Sequence, residues 1–247
     1  MIERVTFTGA DNSIHPSDLV EISNDYPWVE WGILFPSGTQ GYGRFPNFDW
    51  VSQLKAIKRL EKFPHTTMDG YFHDPINLSM HLCEPMVYQL VTEGLPLEKI
   101  MKEHSIPNIF SRAQINTHGM TYRINDAFIE EMRRHPEIEF ILQVDEGNHF
   151  MYDLELENVA VFQDFSSGAG IFENSWLDFG DRKYGYSGGL NINTLPLAIE
   201  VWEKRNKTIN WIDMETGVRT KGKFDLAKVR EVCEYIEPYI SNSVVKV

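Results

Sequence analysis

Residues 183–218 read KYGYSGGLNINTLPLAIEVWEKRNKTINWIDMETGV, and their pattern decides the fold. A β-rich run, Lys183 to Ser187, is followed by two glycines and then by a helical pattern, with Asn193 as its predicted cap and Pro196 in its first turn. A second β-rich run, Asn210 to Met214, ends in another glycine-containing turn. Strand, helix and strand in this order predict a βαβ unit and therefore two parallel strands.

The same alternation continues over the rest of the chain. Six further β-rich runs precede this unit, at Val5 to Thr8, Val29 to Phe35, Ser79 to Cys83, Ser111 to Asn116, Phe140 to Val144 and Val159 to Asp164. Helices are predicted at Pro16 to Asp25, Phe48 to Lys62 and Ala127 to His135. Another helix is predicted to begin after Asp225, which would cap it, and a weaker helical pattern extends from Tyr152 to Glu157. Eight strands alternating with helices predict an α/β fold, a (β/α)₈ TIM barrel, and we expect residues 1–247 to form one such domain.

Composition excludes several classes of function. The formal net charge is -13, whereas a nucleic-acid-binding surface needs an excess of Lys and Arg, so nucleic acid is not an expected partner. No apolar run reaches the roughly 18 residues that a membrane-spanning helix requires, so a membrane is not expected either. The two cysteines lie far apart and no signal-peptide pattern opens the chain, which predicts a cytoplasmic protein. The oligomeric state stays open.

Glycine-containing loops follow the last two predicted strands. In barrels of this class, ligands bind at the carboxyl ends of the strands, and the loops after strands seven and eight commonly hold phosphate. Gly188 and Gly189 follow strand seven, and Thr216 and Gly217 follow strand eight. Glycines let backbone N–H groups approach an anion, which predicts a phosphate site without a basic surface. The alternative is that they only permit tight turns, and Glu215 would repel a phosphate unless it points away.

Asp164 is the leading candidate for acid/base chemistry. It ends the sixth predicted strand and precedes a glycine-containing segment, Phe165 to Gly170, which is predicted to form a flexible loop. A carboxyl group among apolar neighbours can have its pKa raised towards neutrality and then deliver a proton. The alternative is a structural aspartate that accepts hydrogen bonds from loop N–H groups.

Strands three to five carry polar residues at alternating positions, and residues two apart share one strand face. Barrel interiors are normally filled by branched apolar side chains, so this face predicts a ligand cavity lined by hydrogen-bonding groups. The alternatives are a buried network that only fixes the fold, or an outward-facing register. The predicted lining residues are His81, Cys83, Arg112, Gln114, Asn116, Gln143 and Asp145. His118 follows Asn116 closely and could reach the same mouth, and the alternative for this lone histidine is a loop residue. The His, Cys and Asp residues lack the short spacing of a zinc motif, so no metal and no cofactor are expected.

The order of these loops resembles phosphoribosylanthranilate isomerase. The resemblance rests on Thr8-Gly9, Gly32 to Pro36 with Arg44, Asp164 with Ser167 to Gly170 and Trp176, Ser187 to Leu190, and Asp213 to Val218. The short motifs extend over nearly the whole chain. The chain is also similar to uncharacterised bacterial and phage relatives of that enzyme, through His81 to Cys83 and Trp211 to Glu215. The resemblance implies a (β/α)₈ barrel that opens a phosphoribosyl-amine to an aminoketose by acid/base catalysis.

The resemblance also implies roles for individual residues. Asp164 matches the family's general acid, which protonates the ribose ring oxygen, and Arg44 matches its mobile arginine near the substrate. The family's general base is a cysteine, and this chain has Thr8 in its place. A hydroxyl without an adjacent base is too weakly acidic for that role at neutral pH, and Cys83 on another strand is the alternative. The residues that match the phosphate loops are Gly188, Gly189, Thr216 and Gly217.

Three functional hypotheses follow. The first is an isomerase-like or lyase-like enzyme that acts on a phosphorylated sugar or nucleotide-derived ligand; as an isomerase it would be of the aldose–ketose type, an intramolecular oxidoreductase. The second is a non-catalytic protein that binds and sequesters a nucleotide-like molecule, and the third is metal-assisted hydrolysis by the His, Cys and Asp set. Under the first two hypotheses, the expected partner is a small phosphorylated metabolite or a nucleotide. Segments 63–77 and 94–108 are longer than in the family and predict extra loops, for a larger ligand or a partner contact.

Overall fold

The computed structural model describes residues 1–36, 38–60, 76–117, 124–145, 148, 154–164, 171–172, 175–205 and 208–241. Eight parallel strands pair in chain order, and β1 also pairs with β8, which closes a barrel. Each strand overlaps one of the eight predicted from the sequence, so the α/β (β/α)₈ fold is confirmed. The strands are β1 (Ile2–Thr8), β2 (Val29–Phe35), β3 (Asn77–Leu82), β4 (Arg112–Ile115), β5 (Glu139–Val144), β6 (Val159–Asp164), β7 (Tyr184–Ser187) and β8 (Ile209–Met214).

Helices surround the barrel, and their apolar faces pack with the outer faces of the strands in the main hydrophobic core. No helix in the described ranges is both long enough and apolar enough to cross a membrane. A short antiparallel pair, β9 (Arg219–Thr220) and β10 (Lys223–Phe224), follows β8. The α-helices of the described ranges are α1 (Pro16–Asp25), α2 (Phe48–Leu60), α3 (Met86–Val91), α4 (Leu97–Glu103), α5 (Asp126–Arg134), α6 (Leu195–Arg205) and α7 (Leu226–Ile236).

One of the two predicted helix caps is confirmed and the other is wrong. Asp225 caps α7, because its side chain accepts hydrogen bonds from the backbone N–H groups of Ala227 and Lys228. Asn193 does not cap α6. The Asn191 Oδ1 accepts hydrogen bonds from the N–H groups of Asn193 and the next residue, so the capping side chain lies two positions earlier than predicted.

Two predictions about connecting segments also need correction. The segment 94–108 is not an irregular extra loop, since it contains α4, whose Leu97 and Ile100 are buried. The Leu97 N–H donates a hydrogen bond of 2.7 Å to Glu131 Oε1, which ties α4 to α5. The described residues 154–157 of the weaker helix candidate are not helical. Most of segment 63–77 lies outside the described residues.

The inside of the barrel contains one apolar layer, formed by Ile141, Ala160, Phe162 and Trp211. The rings of Phe162 and Trp211 stack with centroids 6.0 Å apart. Gly185 makes room for this layer, because a Cβ there would lie 2.1 Å from Trp211 Cε2. The layer separates a charged network near the starts of the strands from a polar cavity near their ends.

The network near the strand starts is centred on Glu30, which is fully buried. Its carboxylate accepts hydrogen bonds from Arg112 at 2.6 Å, from Arg4 at 2.9 Å and from Thr6 at 2.9 Å. Burial alone would raise the pKa of Glu30, but Arg112 and Arg4 hold it below its ordinary value. Arg112 also lies 4.3 Å from the centroid of the Trp211 ring. Arg112 was predicted to line the ligand cavity, and its side chain instead holds this network together.

Candidate active site

A cavity of about 180 Å³ opens at the carboxyl ends of the barrel strands. Polar side chains from β3 to β5 point into it, which excludes the outward-facing register for these residues. The predicted site residues that line it are Thr8, Arg44, His81, Cys83, Gln114, Asn116, Gln143, Asp164, Gly188, Gly189 and Thr216. The lining residues to which the sequence assigned no role are Leu34, Phe162, Ser187, Leu190, Asp213, Met214 and Glu215.

Three predicted site residues lie outside this lining. Arg112 belongs to the network near the strand starts. Asp145 folds the loop after β5, where its Oδ1 accepts a hydrogen bond of 3.1 Å from the Asn148 N–H and its own N–H donates one of 2.7 Å to the Asn148 side chain. Gly217 packs against Leu190 and Asn191 and is not part of the lining. His118 and the loop 165–170 lie outside the described residues.

The glycine loops after β7 and β8 are held in place by close backbone packing. Gly188 and Gly189 have φ angles of 103° and 64°, which side chains disfavour. A Cβ on Gly189 would lie 2.3 Å from the backbone N of Phe172, and a Cβ on Gly217 would lie 2.2 Å from the backbone O of Leu190. Turn geometry and packing therefore require these glycines, and the backbone of Gly188 and Gly189 also borders the cavity.

Thr8 and Asp213 form a hydrogen-bonded pair in the cavity wall, although 205 positions separate them in the sequence. The Thr8 hydroxyl donates to Asp213 Oδ1 at 2.7 Å, and both side chains are buried. Burial raises the pKa of Asp213 well above its ordinary value. The Thr8 hydrogen bond opposes this rise, while the carboxylates of Glu215 and Asp164 add to it. Asp213 is thus a carboxyl group that can hold a proton at a pH where an ordinary aspartate is ionised.

Asp164 ends β6 and borders the same cavity as Asp213. It is partly exposed, whereas Asp213 is buried, so the two carboxyl groups lie in different environments. Their charges interact, as the effect of Asp164 on Asp213 indicates. Sequence analysis identified Asp164 as a candidate catalytic residue but did not identify Asp213. The alternating positions of Trp211, Asp213 and Glu215 place these residues on one strand face, and this pattern could have indicated Asp213.

His81 lies on the inner face of β3, above Gly32 of β2. It is 1% exposed, and its Nε2 has no hydrogen-bond partner in the described part of the chain. A Cβ on Gly32 would lie 2.8 Å from this Nε2 and 2.3 Å from Thr8 Oγ1, so only glycine leaves room for both side chains. Burial lowers the pKa of His81 to about 3. The imidazole is therefore neutral at physiological pH.

Cys83 ends a chain of hydrogen bonds on the same side of the cavity. The Gln114 Nε2 donates to Asn116 Oδ1 at 3.0 Å, and the Asn116 Nδ2 donates to Cys83 Sγ at 3.5 Å. Burial raises the pKa of the Cys83 thiol to about 11, with only partial opposition from Arg44. Such a thiol is protonated at neutral pH, which argues against Cys83 as a general base.

Arg44 and Glu215 form an ion pair across the cavity mouth. Glu215 is the residue whose charge would oppose a phosphate, and its carboxylate is directed to the guanidinium of Arg44. Arg44 is the one cation among the described lining residues, which also include Asp164 and Asp213. The cavity wall is therefore acidic or neutral apart from this paired arginine.

The described residues contain no group of three or more His, Cys, Asp or Glu side chains that could hold a metal ion. His81, Cys83 and Asp164 border one cavity, but they do not come together as a ligand set.

Comparison with known proteins finds that the (β/α)₈ barrel of this chain is similar to two solved structures of one enzyme. No family model matches the sequence, and no curated protein matches it. Monomers of the dimeric phosphoribosylanthranilate isomerase from Thermotoga maritima match over 95% of this chain and 98% of theirs, with a TM-score of 0.54 and 15% identity. N-(5'-phosphoribosyl)anthranilate isomerase from Pyrococcus furiosus matches over 96% and 99%, with a TM-score of 0.51 and 11% identity. The chain thus has a fold like that of phosphoribosylanthranilate isomerase.

Proposed function

We propose that this protein is a phosphoribosylanthranilate isomerase-like enzyme, which isomerises a phosphorylated sugar or nucleotide-derived ligand by acid/base catalysis. The observation that carries the proposal is the hydrogen-bonded pair of Thr8 and Asp213 in the same cavity as Asp164. Two carboxyl groups in different environments can divide the acid and base roles between them. The cavity lies at the carboxyl ends of the strands, where barrel enzymes have their active sites.

Asp164 supplies the acid in this proposal. It donates a proton to the ring oxygen of a phosphoribosyl-amine, and the bond between that oxygen and C1 breaks. The lone pair of the amine nitrogen forms a double bond to C1, so the opened sugar becomes a protonated Schiff base. A positioned acid of this kind typically accelerates a reaction by about 10²- to 10⁴-fold.

Asp213 supplies the base that the family takes from a cysteine. In its ionised form, Asp213 removes the proton from C2. The electron pair of the C2–H bond forms the C1–C2 double bond, while the second bond between C1 and nitrogen breaks and its electron pair returns to the nitrogen, which becomes neutral. The resulting enaminol becomes the aminoketose when its C2 hydroxyl loses a proton and C1 gains one, so no atom is lost. A carboxylate with a raised pKa is a stronger base than an ordinary one, and Thr8 orients it through the hydrogen bond.

The phosphate of the ligand is proposed to bind at Gly188, Gly189 and Thr216. Backbone N–H groups in glycine loops can bind an anion without a basic surface, which suits an acidic chain. The ion pair of Arg44 and Glu215 offsets the charge of the one carboxylate on the β8 loop that borders the site.

Hydrogen exchange at C2 tests the proposal. Phosphoribosyl-amines, N-(5'-phosphoribosyl)anthranilate included, are incubated with the enzyme in D₂O, and the C2–H signal is followed by NMR. We expect exchange and ketose formation with the native protein, and a loss of about 10²- to 10⁴-fold in Asp164→Asn and in Asp213→Asn. The exposed Asp181 provides the matched control Asp181→Asn, which should behave as the native protein. Equal rates in all three variants would contradict the assigned roles.

A non-catalytic binder is the second candidate, because Thr8 stands where the family has its cysteine and the Cys83 thiol is protonated. This candidate predicts that phosphorylated ligands bind without any exchange at C2. Binding measured by calorimetry together with an unchanged C2–H signal would favour it over the isomerase.

A further inference from the structure

One side of the cavity is polar and uncharged. His81, Cys83, Gln114, Asn116 and Gln143, here called the β3–β5 wall, all border the cavity. In a closed barrel of eight strands, β3 and β4 lie opposite β7 and β8. A ligand that extends across the cavity from the glycine loops therefore places its other end against this wall.

The wall contains a buried group that needs a partner. Buried polar atoms in native proteins are almost always hydrogen-bonded, so each exception calls for an explanation. His81 Nε2 is such an exception in the described structure. Because the imidazole is neutral, it suits an uncharged donor or acceptor on the ligand better than a carboxylate.

The charges around the cavity oppose a ligand carboxylate. Asp164 and Glu215 border it, and the one cation of the described lining, Arg44, is already paired with Glu215. A carboxylate against the β3–β5 wall would meet amide, thiol and imidazole groups and no free positive charge. A carboxamide, in contrast, offers the donor and the acceptor that amide side chains such as Gln114 can bind.

We propose that the β3–β5 wall binds an uncharged carboxamide group of a phosphoribosyl ligand, in place of the carboxylated ring of N-(5'-phosphoribosyl)anthranilate. This inference rests on the proposed function, since it takes the phosphate end of the ligand to lie at the glycine loops. It deepens that function by naming the substituent that the enzyme selects.

Calorimetric titration with three probes tests the inference. Nicotinamide mononucleotide has a carboxamide on its pyridine ring, and nicotinic acid mononucleotide has a carboxylate at the same position. Ribose 5-phosphate lacks the pyridine ring. We expect the native protein to bind the carboxamide compound at least about tenfold more tightly than the carboxylate compound, as is typical when buried polar groups are left without partners. Equal affinities, or tighter binding of the carboxylate compound, would overturn the inference.

Two variants localise the preference. Gln114→Leu and His81→Phe remove hydrogen-bonding groups from the wall and keep its bulk, and each should bring the two affinities within about threefold while ribose 5-phosphate binds as before. If both folded variants keep the full preference, the β3–β5 wall is not its source. If ribose 5-phosphate binds the native protein and the preference is absent, only this inference fails. If none of the three probes binds, the proposed function fails with it.

Discussion

Replacing Asp213 by asparagine should stabilise the protein at neutral pH and slow the proposed acid/base reaction by about 10²- to 10⁴-fold. The folded protein disfavours the ionised form of Asp213, because burial and the neighbouring carboxylates raise its pKa. An unfolded chain ionises the same group at its ordinary pKa of about 3.9. Between these two pKa values, the free energy of unfolding therefore falls as the pH rises. An asparagine at this position keeps an Oδ1 atom that can accept the hydrogen bond from the Thr8 hydroxyl, and its side chain cannot ionise.

The size of the effect follows from linkage. Each unit by which the folded pKa exceeds the unfolded one lowers the stability of the native protein by about 1.4 kcal/mol at high pH. The free energy of unfolding of Asp213→Asn minus that of the native protein should be constant below about pH 4. It should then increase with pH, by at most about 1.4 kcal/mol per unit, and level off above the folded pKa.

Urea denaturation at half-unit steps from pH 3.5 to 9 measures this difference, and the pH at which it levels off reports the folded pKa of Asp213. The exposed residue Asp181 provides the control variant Asp181→Asn, which carries the same substitution outside the cavity. A difference between Asp213→Asn and the native protein that is flat over the whole range would refute the raised pKa and with it the base role of Asp213.

Three further predictions concern other parts of the molecule. Arg112→Leu should destabilise the protein by about 3–5 kcal/mol in urea denaturation, because it leaves Glu30 buried and charged; the double variant with Glu30→Gln should recover part of this loss. Gly189→Ala should cost more stability than Gly180→Ala, since both have φ near 65° but only Gly189 meets a backbone atom; the excess should be about 1–3 kcal/mol. Cys83 should not react with iodoacetamide at pH 7.5 until the protein unfolds, because its thiol has a pKa of about 11. Mass spectrometry of the treated protein measures this alkylation.

Each of these predictions has a contrary result. An Arg112→Leu protein as stable as the native one would mean that Glu30 is not held ionised by this arginine. Equal costs at Gly189 and Gly180 would mean that the β7 loop can move away from residues 171–172. Rapid alkylation of Cys83 in the native protein would mean that the thiol is more acidic than its burial implies.

The barrel was predictable because its signal is local and repeated. Alternating strand and helix patterns recur along the chain, and each of the eight barrel strands overlaps a predicted one; the short β9 and β10 were not predicted. The segment 94–108 was misjudged because α4 spans only Leu97–Glu103, too short for a clear amphipathic period. Its stability comes from burial and from Glu131 on α5, a contact that the local sequence does not reveal.

The depth of a side chain inside the barrel was harder to predict than its direction. Alternation along β4 indicated correctly that Arg112 and Gln114 share a face, yet Arg112 lies near the strand start and Gln114 borders the cavity. Two residues along a strand are enough to move a side chain from one layer to the next. Because ligands bind at the carboxyl ends of barrel strands, this rule would have predicted that Gln114 borders the cavity and Arg112 does not.

The pairing of Thr8 with Asp213 depends on closure of the barrel. Only when β1 lies beside β8 do residues 205 positions apart meet, and no spacing in the sequence encodes that contact. The sequence revealed that the expected cysteine is missing, and the structure adds a carboxyl group with a raised pKa hydrogen-bonded to the residue that replaces it.

The most direct test of the central claim is binding of ribose 5-phosphate, measured as thermal and chemical stabilisation, in a matched pair of variants at Thr216. This residue is exposed at the cavity edge, and Thr216→Glu and Thr216→Gln differ only in charge. At about 100 times its Kd, the ligand should add about 2.7 kcal/mol to the native protein and to Thr216→Gln, and nothing to Thr216→Glu. No stabilisation of the native protein, or equal stabilisation of both variants, would contradict a phosphate site at the loops after β7 and β8.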